Sequence, residues 1–235
     1  MISVCIATYN GEKYIKEQLD SIIPQLAHED EIVISDDGSS DSTLDIINSI
    51  NDERIRITVN QGKHGVNSNF NNALLHAKGD FIFLADQDDI WLSGKVAECL
   101  KALEKADLVM HDAIITDYSL SSQNKTLFCE LNIKGGFVSN LIRNRFTGCC
   151  IAFKKEILEY ILPIPDSTLF FHDNWIGLMC ELKGTVKFIP FKGIYFRRHP
   201  DTNSTAGKGK GMTLSRKIRS RISLLSLTLK RFFKK

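Results

Sequence analysis

Residues 81–92 read FIFLADQDDIWL. Five mostly apolar residues, with the look of a buried strand, run straight into three carboxylates within four positions: Asp86, Asp88 and Asp89. Like charges this close repel and raise each other's pKa unless something positive sits among them. A solvated acidic turn is one reading. A divalent cation is the other, and the neighbouring sequence weighs between them.

Working outward, the first 110 residues alternate strand-like and helix-like segments. ISVCIA (2–7) is β-rich and runs to the turn signal Asn10-Gly11. Residues 12–26 place Tyr14, Ile15, Gln18, Leu19, Ile22 and Ile23 at helical spacing. EIVIS leads into the acidic loop DDGSSD, and STLDIINSI is helical, with Asp41 or Ser42 as its cap. IRITVN is a strand, SNFNNALLHA a helix ending at Gly79, and DFIFLA a strand. WLSGKVAECLKALEKA reads as a helix and DLVMHDAIIT as a strand. This βαβαβαβαβ order predicts an α/β fold, a mainly parallel sheet flanked by helices. Such sheets bind ligands at the carboxyl ends of their strands. Thr8, Tyr9 and Asn10, then Asp36 and Asp37, then Asp86 to Asp89 all stand at those ends. Their convergence on one rim favours a cation over a chance acidic turn.

The second half is less regular. Residues 119–146 read as loop and short helix; TGCCIAFKKEILEYI as turn, strand and helix; a Pro-rich turn precedes a helix that begins near Asp173. TVKFIPFKGIYFRRH reads as two strands around Pro190. The expected organisation is one domain over 1–205, with a regular half (1–110) and a less regular half (111–205), then a tail over 206–235 that opens with flexible GKGKG.

The 235 residues are 43% hydrophobic and 25% charged, ordinary for a globular chain. The net charge of +2 hides an asymmetry: residues 208–235 hold ten Lys/Arg and no Asp/Glu, leaving a net of −8 on the rest. In the tail, Leu214, Ile218, Ile222, Leu225, Leu229 and Phe232 recur every three or four residues among basic ones. That is a basic amphipathic helix suited to an anionic membrane surface, the alternative being a helix docked on the body or on a second subunit. No nucleic-acid partner is expected. The six cysteines show no CxxC pair, Cys5 and Cys180 read as core, and the pattern suits a reducing compartment. There is no signal-peptide pattern and no run of about 18 apolar residues. The expected location is cytoplasmic, on the inner face of the plasma membrane.

Taken in order, TYNGEKYI, ISDDGSSDST, AKGDFIFLADQDD, TGCCIAF and FHDNWIGL resemble the family 2 glycosyltransferases with the GT-A fold, in particular bacterial enzymes of surface-polysaccharide synthesis such as rhamnosyltransferases. The resemblance covers about residues 2–200, leaves the basic tail outside, and implies that 1–110 is the nucleotide-binding half and 111–205 the acceptor half of a GT-A domain. It implies inverting transfer from a nucleoside-diphosphate sugar, UDP- or dTDP-linked, to a saccharide acceptor, with Mg²⁺ or Mn²⁺ neutralising the diphosphate leaving group. A lipid-linked acceptor would account for the tail.

By the same resemblance Asp88 is the primary metal ligand. Asp86 contacts the ribose or a metal-bound water, and Asp89 lies beside the metal or the donor sugar. Asp37, supported by Asp36, accepts from N3–H of the base, which Thr8 (through its backbone), Tyr9 and Asn10 help to hold. Asp173 opens a late helix as the general base. His172 tunes it or contacts the acceptor, and Trp175 either walls the acceptor site or packs in the core. His199, Arg197 and Arg198 approach the diphosphate. The chain departs from the pattern at Phe70, where many members carry an arginine: Asn67, Asn69 and Asn71 cannot replace its charge, and Lys63 or His64 are left to do so. Two competing functions remain: a sugar-phosphate nucleotidyltransferase, and a catalytically inactive binding relative.

Overall fold

The computed structural model describes residues 1–199 and 213–233. Its strands are β1 (Ile2–Thr8), β2 (Glu31–Asp36), β3 (Ile55–Val59), β4 (Phe81–Asp86), β5 (Ile90–Trp91), β6 (Leu108–Thr116), β7 (Ser122–Thr126), β8 (Ile151–Lys154) and β9 (Val186–Arg197). Its α-helices are α1 (Ile15–Ile22), α2 (Thr43–Ser49), α3 (Val66–His76), α4 (Lys95–Leu103), α5 (Leu127–Leu131), α6 (Phe137–Ile142), α7 (Leu158–Ile161), α8 (His172–Lys183) and α9 (Leu214–Phe232).

All the strands join one sheet in the order β3-β2-β1-β4-β8-β6-β9-β5, with β7 on β6. The first four pair in parallel, as the alternation predicts. β1 and β2 are buried almost throughout because helices cover both faces, which is why they read as continuous apolar runs rather than alternating ones. β3, at the edge, is only partly buried. The next neighbour of β4 is not β6 but β8, inserted antiparallel between them. The residues TGCC that precede β8 are thereby delivered beneath the end of β4.

Two local readings are corrected. β9 is one strand, not two: the register jumps from His111↔Ile189 to Asp112↔Lys192, so Pro190 and Phe191 form a bulge, where a residue without N–H costs no ladder bond. Residues 91–94 are not helical. Trp91 pairs with Ile194 of β9, and Gly94 turns into α4 with φ +85°, a left-handed geometry that suits glycine.

The core is built on Val4, Ile6, Ile32, Ile34, Phe83 and Leu84, with Ile15, Leu19 and Ile22 of α1 and Phe70 of α3 packed on it. Each such side chain, fully buried, contributes roughly 1.5–3 kcal/mol. Gly79 admits no side chain, since a Cβ there would stand 2.5 Å from the Ser3 nitrogen. Cys5, Cys99, Cys149, Cys150 and Cys180 are buried free thiols; Cys129 is exposed.

The tail helix is docked. Ser220, Leu224 and Thr228, spaced by four, face the body, where Ser220 Oγ donates to Leu169 O at 2.8 Å and Arg231 donates to the carbonyls of Leu162 and Pro163. Leu214, Ile218 and Ile222 stay 74%, 51% and 64% exposed. No helix among the described residues is long and apolar enough to cross a membrane. The GKGKG stretch lies outside the described residues.

Candidate active site

The register brings the polar strand ends level. Thr8 pairs with Asp36, and Ala7 with Asp86, so the loops after β1, β2 and β4 open on one rim. Above them lies a cleft of about 880 Å³, lined among others by Tyr9, Asn10, Asp37, Asp86, Asp88, Asp173 and His199.

Thr8 and Asp36 are not among the residues that line this cleft. Thr8 is buried, and its carbonyl already accepts from Asp37 N and from Asn69 Nδ2, both at 3.0 Å. Asp36 accepts from Thr8 Oγ1 (3.0 Å), Gly38 N (3.0 Å), Ser39 N (2.8 Å) and Ser39 Oγ (2.6 Å). A buried carboxylate is tolerated only when so satisfied, and here it serves to fold the DDGS loop. Asp37, held by Asn60 Nδ2 at 2.7 Å and Gly65 N at 2.8 Å, does reach the cleft. The ring of Tyr9 is 55% exposed beside it.

The acidic turn after β4 divides in two. Asp86 and Asp88 line the cleft, whereas Asp89 is buried beneath it, its Oδ1 accepting from Arg197 N at 3.0 Å and its Oδ2 without a partner among the described residues. Ligand atoms of Asp86, Asp89 and Cys149 lie within 4.8 Å of one another. Burial first, then the charges of Asp88 and Asp173, push Asp86 up to about 7; the Cys149 thiol and the Lys95 ammonium pull weakly the other way. Burial and the Asp88 and Asp86 charges raise Asp89 well above the usual range. Lys95 is itself fully buried, donating to Cys149 O at 2.9 Å over the Trp91 ring. One buried ammonium thus leaves the turn undercompensated. A cation fits that deficit, and the cleft-facing oxygens of Asp86 and Asp88 suit a hard ion.

Asp173 is the second residue of α8, where the helix dipole favours a carboxylate. Burial outweighs the dipole and the hydrogen bonds from Asn174 N and the Asn144 side chain, and pushes Asp173 up to about 7. His172 beside it is buried, stacked on Phe70 at 3.9 Å between ring centroids, and both ring nitrogens lack partners among the described residues. Burial brings its pKa down to about 3, so the ring is neutral. Trp175 settles as core, donating from Nε1 to Ile161 O at 2.8 Å.

Of the late segment, His199 Nε2 lies 2.8 Å from Asp88 Oδ2. Arg197 lines the cleft but is paired with Glu17 at 2.6 Å and lies over the Tyr14 ring. Arg198 points away, paired with Glu130 at 2.6 Å. Lys63 is bound to Asp166 at 3.0 Å and His64 folds against Asp37, so neither brings charge to the cleft in place of the missing arginine.

The sequence reading missed Gln87, whose amide pairs with both backbone groups of Tyr9, although it stands inside the quoted motif. It also missed Lys95, detectable as a lone charge on the apolar face of α4. Asn144, Arg143 and Arg221 carried no signal, because only the fold brings residues 143–144 and 221 to the same cleft.

Comparison with known proteins is consistent with this geometry. A sequence model described as Glycosyl transferase family 2 matches residues 3–162, more than half of the chain. An Escherichia coli protein, UDP-Glc:alpha-D-GlcNAc-diphosphoundecaprenol beta-1,3-glucosyltransferase WfgD, is 26% identical over 190 residues, covering 76% of this chain and 70% of its own. The chain spans between 33% and 70% of the length of the first four curated relatives that it matches. Among solved structures, Staphylococcus aureus TarS 1–349 with UDP-GlcNAc superposes with a TM-score of 0.75 at 16% identity, over 99% of this chain and 66% of that one. Glucosyl-3-phosphoglycerate synthase from Mycobacterium tuberculosis, in complex with Mn²⁺, UDP and phosphoglyceric acid, gives 0.62 at 18% identity, over 98% and 78%. These structures share the GT-A fold, and the extent of the sequence match decides the rest: the chain belongs to glycosyl transferase family 2.

Proposed function

We propose that this chain is an inverting, metal-dependent glycosyltransferase that moves a sugar from a UDP-sugar to a saccharide carried on a lipid diphosphate, in bacterial surface-polysaccharide synthesis. The observation that carries the reading is the single cleft holding both the undercompensated Asp86–Asp88 pair and the half-buried Asp173 carboxyl. Tyr9, Asn10 and Asp37 hold the nucleoside. Asp86 and Asp88 hold a Mg²⁺ or Mn²⁺ ion, which when bound neutralises the diphosphate leaving group. Asp89 steadies the turn from beneath through Arg197 N. Asp173 takes the proton of the attacking acceptor hydroxyl, a task for which a pKa of about 7 is suited. His199 stands at the diphosphate.

The exposed apolar stripe of α9, between basic side chains, rests on the inner leaflet and keeps the enzyme peripheral at the cytoplasmic membrane face. Names of relatives support this choice of donor and acceptor: WfgD is named for a UDP-sugar donor and a diphosphoundecaprenol-linked acceptor. The test is transfer itself. The protein is incubated with UDP-glucose or UDP-GlcNAc, Mn²⁺ and an alkyl-diphosphate-linked GlcNAc. A product one sugar heavier, with a β linkage from the α-linked donor, is expected. Pyrophosphate release from UTP and a sugar phosphate, without such a product, overturns the reading.

A further inference from the structure

We propose that Arg221 of the tail helix and Arg143, at the end of α6, form the seat for the diphosphate of the acceptor. The inference rests on the transferase reading above and adds Arg221, a residue beyond the segment that the family model matches, to Arg143 within it.

Two positive charges at the cleft stand without a counter-ion among the described residues. Most cations around the site are committed: Arg197 to Glu17, Arg198 to Glu130, Lys95 to Cys149 O, and Arg231 to the carbonyls before α8. Arg221 and Arg143 both line the cleft, and neither makes an ion pair among the described residues. Arg221 is half-buried, donating from Nε to Ile142 O at 3.0 Å and from Nη1 to Ser220 Oγ at 3.3 Å, both neutral partners. Burial lowers its pKa, with no carboxylate among the described residues to offset the cost. Arg143 is exposed, with one long contact to Glu130 O at 3.5 Å. A guanidinium held partly out of water without a counter-charge is matched by an incoming anion, and its planar fork suits a phosphate. Lys13 lines the cleft too, but it stands on the β1 rim with Tyr9 and Asn10.

Position assigns the anion to the acceptor rather than to the donor. Arg221 bonds the carbonyl of Ile142; Arg143 follows; Asn144 comes next and lines the cleft together with Asp173. The two arginines therefore sit beside the proposed base. Ile218 lies one turn before Arg221 and Ile222 follows it, both turned to solvent. A lipid chain lying along that apolar stripe would bring its diphosphate to Arg221 and its first sugar toward Asp173.

The test is calorimetric titration of geranyl diphosphate into the full chain already saturated with UDP and Mn²⁺. One binding event is expected, with geraniol giving none. Arg143→Gln and Arg221→Gln each weaken it roughly tenfold or more, and Arg221→Lys weakens it less. UDP affinity, read in the same cell, stays unchanged in all variants. Arg143→Gln touches no buried contact, so it reads the seat even where Arg221→Gln loosens the tail. Equal binding by wild type and variants, no binding by wild type, or binding of geraniol as tight as of its diphosphate overturns the proposal. Failure of UDP to bind would instead strike the transferase reading. Phosphatidylglycerol vesicles separate a lipid headgroup from the acceptor: both glutamine variants should still float with them, and loss of flotation with geranyl diphosphate binding intact would assign the arginines to the bilayer and overturn the seat.

Discussion

The side-chain amide of Gln87 completes a two-bond pair with the backbone of Tyr9: Tyr9 N donates to Gln87 Oε1 at 2.9 Å, and Gln87 Nε2 donates to Tyr9 O at 3.1 Å. The turn after β4 is thus tied to the loop after β1, the acidic rim to the nucleoside rim. Gly11 packs against the same amide, where a Cβ would come within 2.5 Å of Oε1. Gln87→Ala should cost little stability, since water can replace bonds at an exposed site, but should weaken UDP binding about three- to tenfold as the two rims lose their register. Gln87→Glu should be worse, because it removes the donor and adds charge beside Asp86 and Asp88. Titration of UDP into each variant with Mn²⁺ checks both.

Asp173 should set the rate. Asp173→Asn keeps the shape and removes the base, so kcat should fall by about 10²–10⁴ while UDP affinity holds. Its carboxyl, surrounded by Asn144, the Asn174 N–H and the charge of Asp86, must be ionised to accept a proton. Activity should therefore rise with pH through about 7 and level off above, and this limb should vanish in the residual activity of the asparagine variant. A flat profile in wild type from pH 5 to 8 would remove Asp173 from that role.

The same carboxyl should cost stability. Its pKa is about 7 folded, against 3.8 for the ordinary group, so between those values the folded state holds a proton that the unfolded chain has released. Stability from this group is greatest below pH 4, declines as pH rises to about 7, and is flat beyond. Asp173→Asn should raise the melting temperature of metal-free protein at pH 8 and change it little at pH 4, with a gain of a few kcal/mol at most. Equal effects at the two pH values would contradict the assigned burial.

The two faces of α9 should separate by mutation. Leu224 is fully buried against the body, and Leu224→Ala should cost about 2–5 kcal/mol, read by urea unfolding. Ile218→Ser with Ile222→Ser changes exposed positions, so it should leave stability unchanged and abolish flotation with anionic vesicles. Vesicle binding that survives the double change would place the membrane contact elsewhere.

What the sequence makes legible is what one segment can say alone. Short apolar runs and period-3.6 patterns locate most elements, and strand-end chemistry marks Asp37, Asp86 and Asp88, because a parallel register aligns those ends physically. Pairings between distant segments leave no such trace. The insertion of β8 beside β4, which seats Cys149 under Asp86, depends on a crossover that no local pattern encodes. Asp36 and Asp37 look alike in sequence, yet four hydrogen bonds turn the first inward and leave the second at the cleft. The tail was legible as an amphipathic helix, but its apolar stripe is not the face it docks with. Contacts of Ser220, Leu224 and Thr228 hold it, a narrower stripe than periodicity alone would choose.

The most direct test of the central claim is calorimetric titration of UDP and dTDP into the protein with and without Mn²⁺, in wild type and in Asp88→Ala. The account predicts UDP binding that requires the metal in wild type and is lost in the variant. Nucleotide binding that ignores both the metal and Asp88, or no binding under any condition, would contradict it and return the carboxylates after β4 to the status of an acidic turn.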